Sequence, residues 1–136
     1  MDILAFMKPT REVVTVRVES SLVEALGTME KYRFTSVPII DARGYYVGTL
    51  SEGDLLWAIK NQLGFDMGKA STFLVGKIKR NRDYEPIPAT ATIDQLIGKA
   101  SNENFVPIVD EDNLLIGIVT RKTLLNYFFE HQFVVL

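Results

Sequence analysis

Two short segments of the sequence combine a glycine, a hydroxyl side chain and charged residues at the predicted start of a helix. They are Gly48-Thr49-Leu50-Ser51-Glu52-Gly53-Asp54 and Gly117-Ile118-Val119-Thr120-Arg121-Lys122-Thr123. A carboxylate has two oxygens that suit the hydroxyls of a vicinal diol, and a helix N-terminus offers free amides to a phosphate. Because Ser51 and Asp54 also have the spacing of a helix-capping pair, a purely structural role is the alternative.

Several other kinds of site are excluded by the composition. The chain has no cysteine and a single histidine, His131, which excludes disulfides, thiolate metal sites and any site that needs two imidazoles. Residues 64–71 contain the glycines and lysine of a phosphate-binding P-loop. However, the glycines lie too close together, and Ala70 stands where a magnesium-binding hydroxyl belongs. We therefore expect no metal site, no required cofactor and no enzymatic activity, with His131 on the surface or in an interface.

The charge and hydropathy of the chain limit its partners. Its 136 residues are 47% hydrophobic and 24% charged, as in an average folded domain, and its net charge is −2. A nucleic-acid-binding protein usually carries a basic excess, which this chain does not have. Residues 1–7 lack the basic region of a signal peptide, and no apolar run approaches the ~20 residues that span a bilayer. We therefore expect a cytoplasmic protein with no nucleic-acid or membrane partner.

The sequence contains an internal repeat. Val37-Pro38-Ile39-Ile40-Asp41 recurs as Val106-Pro107-Ile108-Val109-Asp110, and the matching order continues from Gly48 and Gly117 into the following residues. A match in the same order over this length indicates a duplication rather than a chance pentapeptide. The predicted organisation is a first repeat at residues 1–62, a connector at 63–73 and a second repeat at 74–136.

Each repeat predicts the same order of elements, strand-helix-strand-strand-helix. The helices that follow Ser21 and Thr92 both begin with a capping box, because Glu24 and Gln95 stand three residues later. Pro38 is expected to restrict its strand to an edge or end position. The predicted elements of the first repeat are strands at Val13–Val16, Val37–Ile40 and Tyr45–Leu50 with a final helix at Glu52–Gln62; those of the second include a strand at Leu114–Val119 and a helix at Arg121–Glu130.

This order of elements, with Val-Pro-Ile-Ile-Asp and the segment from Gly48 to Asp54, resembles the CBS domain, named from cystathionine β-synthase. The resemblance covers about residues 5–60 and 74–130 and implies an α/β (α+β) fold of two CBS repeats packed with pseudo-twofold symmetry. Many such pairs, called Bateman modules, bind AMP, ADP, ATP, S-adenosylmethionine or cyclic di-AMP in the clefts between the repeats. The implied function is a stand-alone regulatory module that senses an adenine nucleotide or adenosine derivative and signals to an unidentified effector protein.

The resemblance also implies the residues that contact the ligand. In the family's Gly-x-x-Ser/Thr-x-x-Asp pattern, Ser51 holds phosphate or ribose and Asp54 accepts hydrogen bonds from the ribose hydroxyls. The second repeat keeps the hydroxyl at Thr120 but has Thr123 in place of the aspartate, which is a departure from the ribose pattern. The remaining positions are Val13, Val14, Thr35, Ser36 and Pro38 in the first repeat, and Tyr84, Asn104, Phe105 and Pro107 in the second.

Basic residues provide candidates for a phosphate contact. Arg121 and Lys122 follow Thr120 at a helix start, where their charges oppose the helix dipole unless an anion lies nearby. We expect them to bind the phosphate, with an ordinary solvated helix start as the alternative. The basic cluster at residues 77–82 is interpreted as a solvated loop, with a phosphate contact as the alternative.

The alternative function is a ligand-free dimerisation or scaffold module, since degenerate CBS pairs exist and Thr123 departs from the pattern. The apolar residues Tyr127–Leu136 would be an aggregation hazard if they were exposed. They are therefore expected to pack on the protein's own helices or in a dimer interface. Bateman modules commonly pair through their helices, so a homodimer is expected.

Overall fold

The computed structural model describes residues 2–131 and contains two compact units. The first unit is Val14–Asp83; the second combines the residues up to Val13 with those from Tyr84 onward. The residues before Val14 therefore belong to the second unit, although β2 follows them in the chain, and the residues up to Asp83 belong to the first unit, although β5 follows them. In chain order the elements are β1 (Lys8–Pro9), β2 (Val16–Arg17), α1 (Leu22–Tyr32), β3 (Ser36–Ile40), β4 (Tyr46–Ser51), α2 (Glu52–Asn61), β5 (Ile87–Pro88), α3 (Ile93–Ala100), β6 (Phe105–Val109), β7 (Leu115–Thr120) and α4 (Arg121–His131).

Each unit has a mixed sheet covered by two helices. In the first unit the strand order is β2-β3-β4, with β2 parallel to β3 and β3 antiparallel to β4. The second unit repeats this as β5-β6-β7 and adds β1 antiparallel to β7. The core residues Ile39 and Ile108 occupy the same repeat position, and both are fully buried. The predicted α/β class and the β-α-β-β-α order of each repeat are confirmed.

The helix starts follow the predicted capping chemistry. The Ser21 hydroxyl accepts a hydrogen bond from the Glu24 amide, and the Glu24 carboxylate accepts one from the Ser21 amide. Thr92 and Gln95 make the same reciprocal pair at the start of α3. These bonds satisfy amides that have no partner within the helix, so the local sequence indicates where both helices begin.

Pro38 lies in the middle of the central strand of its sheet, so the predicted edge or end position is wrong. All of β3 pairs with β4, with Pro38 opposite Thr49, whereas β2 reaches only Ile39 and Ile40. The Thr49 amide points away from β3, so the amide that Pro38 lacks would face the side of the sheet that the short β2 does not reach. Pro107 lies in the same place in β6.

The first predicted strand, Val13–Val16, is also wrong in its extent. The Val13 amide donates to the carbonyl oxygen of Thr10 (2.9 Å) and closes a 3-10 turn, so the strand begins only at Val16. A run of β-branched residues favours a strand but does not override a turn that satisfies the backbone.

The predicted connector is a packed part of the first unit. Ala70 is fully buried, and its carbonyl oxygen accepts the amide of Val23 (3.3 Å) while that of Phe73 accepts the amide of Leu22 (2.8 Å). The start of α1 is therefore capped by the connector as well as by its own serine. In the P-loop-like segment, the Asp66 carboxylate accepts the Gly68 amide (3.0 Å), so an acidic side chain lies where a phosphate would have to bind.

The end of α4 lies partly on the second unit and is partly exposed. The ring of Tyr127 meets that of Phe6 edge to face at 4.9 Å and packs against the core, whereas Phe129 is 75% exposed. His131 is exposed. The rest of the predicted apolar tail, residues 132–136, lies outside the described residues.

In each sheet, another segment of the chain lies against the outer strand of the hairpin at a glycine. In the second unit β1 pairs with the outer strand β7 through main-chain atoms. In the first unit residues 79–83, which we call the edge segment, lie against β4, and the Asp83 carboxylate accepts the Thr49 amide (2.9 Å). A Cβ atom at Gly48 or Gly117 would overlap the covering atoms, so both strands need glycine at this position.

Gly117→Ala should lower the urea midpoint of unfolding more than Gly48→Ala. A Cβ at position 117 overlaps the backbone carbonyl oxygen of Lys8, whereas one at position 48 overlaps only the carboxylate end of the Asp83 side chain. Overpacking costs about 1–3 kcal/mol where the neighbour cannot move. Circular dichroism during urea unfolding measures both variants. Gly27→Ala in α1, where an added Cβ meets open space, is the control and should not destabilise. Equal losses at positions 48 and 117 would contradict the expected difference.

Candidate functional site

The predicted ligand residues of the first repeat meet where the β3–β4 hairpin opens onto α2. Ser36 and Ser51 are direct partners across the two strands. The carbonyl oxygen of Thr35 accepts the amide of Glu52 (3.0 Å), which ties the start of β3 to the start of α2. We call Thr35, Ser36, Ser51 and Asp54 the first-unit site. The buried Pro38 follows on the same face of β3 as Ser36, because side chains alternate along a strand.

Asp54 is a buried carboxylate held by backbone amides. The residue as a whole is only 4% exposed to solvent. One carboxylate oxygen accepts the Ser51 amide and the other accepts the Asn81 amide, both at 2.9 Å. The Ser51 hydroxyl in turn accepts the Asp54 amide at 3.0 Å, which completes a capping box. Each carboxylate oxygen can accept a further hydrogen bond, so the cap does not exhaust its capacity.

The hydroxyl of Ser36 is a second polar group at this site. Its oxygen is buried and has no hydrogen-bond partner among residues 2–131. A buried hydroxyl without a partner costs about 1–3 kcal/mol. A ligand atom that hydrogen-bonds to Ser36 would recover this energy.

A cavity of about 230 Å³ borders Asp54. Its walls come from α2 and from the edge segment, and they combine the carboxylate with two cationic side chains; the lining residues are Asp54, Trp57, Ala58, Asn61, Gln62, Lys79, Arg80 and Asn81. A larger groove of about 430 Å³ runs between α1 and α2, is lined mainly by leucine, methionine and isoleucine, and contains none of the predicted ligand residues. The smaller cavity is the one with chemistry suited to a polar ligand.

An ion pair within the edge segment lies beside this cavity. Arg80 donates two hydrogen bonds to Asp83, from Nε at 2.8 Å and from Nη2 at 3.2 Å. The hydrogen bond to Asp83 raises the pKa of Arg80 above its ordinary value against the opposing effect of burial. For Asp83, partial burial opposes ionisation, but the hydrogen bonds from Arg80 and from the Thr49 amide outweigh it and lower the pKa.

The second unit has the same framework with different chemistry. Phe105 and Thr120 are partners across β6 and β7, and the Tyr84 ring meets that of Phe105 at 4.9 Å. The carbonyl oxygen of Asn104 accepts the Arg121 amide at 3.0 Å, as Thr35 accepts Glu52 in the first unit. Pro107 is fully buried in β6.

Where the first unit has a carboxylate, the second has a pair of hydroxyls. The Thr120 hydroxyl accepts the Thr123 amide (3.1 Å), and the two side-chain oxygens lie 2.8 Å apart. The helix start is therefore capped without a negative charge. This arrangement has less capacity to hold the two hydroxyls of a ribose than a carboxylate has.

Arg121 contacts the end of a neighbouring helix. Its Nε donates to the carbonyl oxygen of Ala100 at the end of α3 (2.8 Å), where a cation also interacts favourably with the helix dipole. The side chain lines an apolar cavity of about 260 Å³ with residues of α3 and α4. Lys122 is exposed. A phosphate contact by Arg121 and Lys122 stays a prediction.

The structure places the two valines predicted to line the base pocket in different units. Val14 packs against the core of the first unit, whereas the half-buried Val13 ends the 3-10 turn of the second. The main omission of the sequence analysis is the edge segment, which was interpreted as a solvated loop. The signal for it was a glycine inside each hairpin strand, Gly48 and Gly117, which marks the close approach of another segment.

Residues 2–131 contain neither a candidate metal-binding cluster nor a helix suited to cross a membrane. No group of three or more histidine, cysteine, aspartate and glutamate side chains within residues 2–131 could hold a metal ion. Within the same residues, no helix has the length and apolar character needed to cross a membrane.

Comparison with known families identifies both repeats. The family model described as the CBS domain matches residues 2–61 and 75–130, which together are most of the chain. The chain belongs to the CBS domain family. The predicted resemblance to a tandem CBS pair is therefore confirmed, and the two matched segments contain the first-unit site and its counterpart in the second CBS repeat.

Curated relatives carry CBS repeats as part of longer chains. The 5'-AMP-activated protein kinase subunit gamma of Saccharomyces cerevisiae is 27% identical over 121 residues, which are 82% of this chain and 35% of the relative. The inosine-5'-monophosphate dehydrogenase of Methanocaldococcus jannaschii is 25% identical over 120 residues, 85% of this chain and 22% of the enzyme. This chain thus spans about a third of the length of such relatives, or less.

Solved structures share the whole fold. A CbpB protein in complex with c-di-AMP superposes with a TM-score of 0.87 at 23% identity, covering 98% of this chain and 89% of that protein. CbpB of Listeria monocytogenes, also with c-di-AMP, gives 0.85 at 21% identity, with 97% and 98% covered. The CBS-pair protein CBSX2 of Arabidopsis thaliana gives 0.79 at 24% identity, with 96% of each chain covered. At these identities the likeness establishes the fold.

Asp83→Asn should destabilise the protein at neutral pH and have little effect in strong acid. The folded-state pKa of Asp83 lies below its ordinary value of about 4, so its ionised form stabilises the fold above that pH. This contribution is lost as the pH falls through the lowered folded-state pKa. Melting temperatures of both proteins from about pH 2 to 7 should therefore converge on acidification. Asp112→Asn, on an exposed turn, controls for the change in net charge. A gap that is constant with pH would contradict the stabilising role of the ionised Asp83.

Proposed function

We propose that this chain is a regulatory module that binds an adenine nucleotide or adenosine derivative, with the ribose hydroxyls on Asp54. The observation that carries the proposal is a carboxylate only 4% exposed, fixed by two backbone amides at the wall of a cavity of about 230 Å³. A group buried in this way is expensive unless its charge is used in hydrogen bonds. Its remaining lone pairs suit two adjacent hydroxyl groups.

The size of the cavity indicates which part of a ligand it takes. Pockets for whole small-molecule ligands measure about 300–1,000 Å³, so a cavity of about 230 Å³ suits a sugar and an attached group rather than a complete nucleotide. The base would then lie at the open end of the hairpin, where the Ser36 hydroxyl has no hydrogen-bond partner within residues 2–131.

The relatives support the class of ligand. The yeast relative is named as a subunit of a kinase activated by AMP, and two of the similar structures are complexes with c-di-AMP. Both ligands contain adenosine, so we propose AMP, ADP, ATP, S-adenosylmethionine or cyclic di-AMP as the candidates. Binding would shift the protein toward the ligand-competent state by an amount set by the difference in affinity between the two states, and an effector protein would respond to that state. No catalytic step is proposed.

A ligand-free scaffold is the second candidate, and particular contacts favour it. Each oxygen of Asp54 already accepts one backbone amide, so the residue has a structural role without any ligand. Thr123 shows that the same helix start forms without a carboxylate. On this hypothesis Asp54 only ties the edge segment to α2.

Asp54→Ala should weaken binding of an adenosine ligand by roughly 10- to 100-fold. The reason is the loss of charge-assisted hydrogen bonds of about 1.5–3 kcal/mol. A thermal-shift screen with AMP, ADP, ATP, S-adenosylmethionine and cyclic di-AMP first identifies the ligand, and titration calorimetry then compares the variant with the unchanged protein.

Thr123→Ala is the matched control, because it alters the same position in the second unit without removing a carboxylate. Circular dichroism checks that Asp54→Ala, which also loses part of a helix cap, remains folded. Unchanged affinity in a folded Asp54→Ala variant would refute the ribose contact. No thermal shift with any of the five ligands in ligand-free protein would favour the scaffold.

We also propose that the chain forms a homodimer through its helical faces. Leu56 in α2 is 53% exposed and Leu125 in α4 is 60% exposed, and both line apolar grooves at the same repeat position. The groove of the first unit carries two acidic residues, Glu30 and Glu52, against one basic residue, Arg33, whereas that of the second carries Arg121. A second copy of this chain therefore offers a surface of complementary charge to each groove.

Leu56→Glu and Leu125→Glu should convert the dimer into a monomer, because each places a charge in an apolar contact. Size-exclusion chromatography with light scattering measures the mass directly. Val47→Glu, which alters a 38% exposed residue of β4 outside both grooves, should leave the dimer intact. A monomeric unchanged protein, or dimers in both leucine variants, would contradict the proposal.

A further inference from the structure

Two cations share the cavity that borders Asp54. Lys79 and Arg80 lie on its edge-segment side, opposite α2, which contributes Asp54 itself. One wall therefore presents a hydrogen-bond acceptor for hydroxyl groups, and the other presents positive charge. A sugar that carries an anionic substituent matches both walls, whereas an uncharged sugar matches only one.

The guanidinium of Arg80 is already occupied by an internal anion. Its Nε and Nη2 contact the two oxygens of Asp83, and the Thr49 amide donates to the same carboxylate. Three donors thus converge on one anionic group. Arginine binds carboxylates and phosphates with the same paired geometry, so the guanidinium that holds Asp83 also suits a phosphate.

The exposures of the two partners indicate which of them can leave. The Arg80 side chain is 17% exposed, whereas that of Asp83 is 40% exposed. Because the Asp83 carboxylate is partly open to solvent, its ion pair contributes only modestly to stability. An incoming anion can therefore replace Asp83 at a small cost while Arg80 stays in place.

The cations are anchored independently of Asp83. The side-chain amide of Gln62 donates to the carbonyl oxygen of Lys77 (2.9 Å) and accepts the amide of Lys79 (3.0 Å). One residue beyond Arg80, the Asn81 amide is held by Asp54. The backbone is thus fixed on both sides of Arg80, and only the far end of the edge segment depends on Asp83.

We propose that Lys79 and Arg80 bind the phosphate of a ligand whose ribose lies on Asp54, and that Asp83 is an internal competitor which this phosphate displaces. The proposal rests on the function proposed above and specifies its ligand as a phosphorylated nucleoside rather than an uncharged one. It assigns the phosphate contact to the edge segment, where the sequence analysis assigned it to Arg121 and Lys122. Release of Asp83 would also free the Thr49 amide at the edge of β4.

Titration calorimetry with AMP, adenosine and inorganic phosphate tests the phosphate contact. The unchanged protein should bind AMP at least about tenfold more tightly than adenosine, and phosphate alone far more weakly than AMP. Lys79→Gln and Arg80→Gln should each remove about tenfold of this preference and leave the affinity for adenosine within about twofold. Lys77→Gln is the matched control, because Lys77 belongs to the same basic run but its side chain does not line the cavity.

Two measurements test the competition by Asp83. Asp83→Asn should tighten AMP binding several-fold without changing adenosine binding, whereas Glu19→Gln, which removes a charge from an exposed ion pair of the same unit, should change neither. Amide hydrogen exchange at Thr49 should become faster when AMP binds but not when adenosine binds. Circular dichroism confirms that the variants are folded, and Arg80→Lys, which keeps the charge, should retain part of the preference.

The outcomes separate this proposal from the function on which it rests. If AMP and adenosine bind equally, or if Arg80→Gln and Lys77→Gln behave alike, the phosphate contact is wrong while nucleoside binding stands. If Asp83→Asn leaves AMP affinity unchanged and Thr49 exchange does not respond, the competition is wrong. If neither compound binds the unchanged protein, the phosphate proposal is refuted for AMP, whereas the proposed function is refuted only if none of the five screened ligands binds.

Discussion

The Asp54 carboxylate is the contact on which the arrangement of the first unit depends. It joins the start of α2, through the Ser51 amide, to the edge segment, through the Asn81 amide. Because the residue is buried, both hydrogen bonds form in a medium of low polarity, where they are stronger than in water. The cavity lies between the two elements that Asp54 and, at its far end, Gln62 connect. The carboxylate thus satisfies the backbone on two sides and borders the cavity on a third.

The same scaffold shows how two copies of one unit come to differ in chemistry. Both hairpins have a glycine at the point where another segment of the chain covers the outer strand, since any larger residue would collide with it. In the second unit the covering segment is a strand, β1, bonded through its main chain. In the first it is fastened by a side chain, Asp83, which bonds to Arg80 and to the Thr49 amide. Both units thus cover the outer strand of the sheet, but they do so through different contacts.

Structural features that depend on neighbouring residues could be predicted from the sequence, whereas features that depend on distant contacts could not. The capping boxes at Ser21 and Thr92 act within a few residues, so these helix starts are predicted correctly. The edge segment was missed because nothing within residues 79–83 indicates which strand they will cover. Likewise, the bond from Arg121 to Ala100 could not be predicted, because it joins two elements that are distant in sequence. The position of Pro38 depended on the length of β2, which propensity does not determine.

This difference between the units bears on where a ligand could change the protein. A small molecule cannot displace β1 without breaking main-chain hydrogen bonds that only another strand can replace. A phosphate, however, can take the place of a carboxylate on a guanidinium, because both accept paired hydrogen bonds in the same way. The second unit also lacks the carboxylate, since Thr120 and Thr123 cap α4 with neutral groups. The buried carboxylate Asp54 and the replaceable ion pair therefore occur in the same unit, so the proposed nucleotide response is assigned to the first unit.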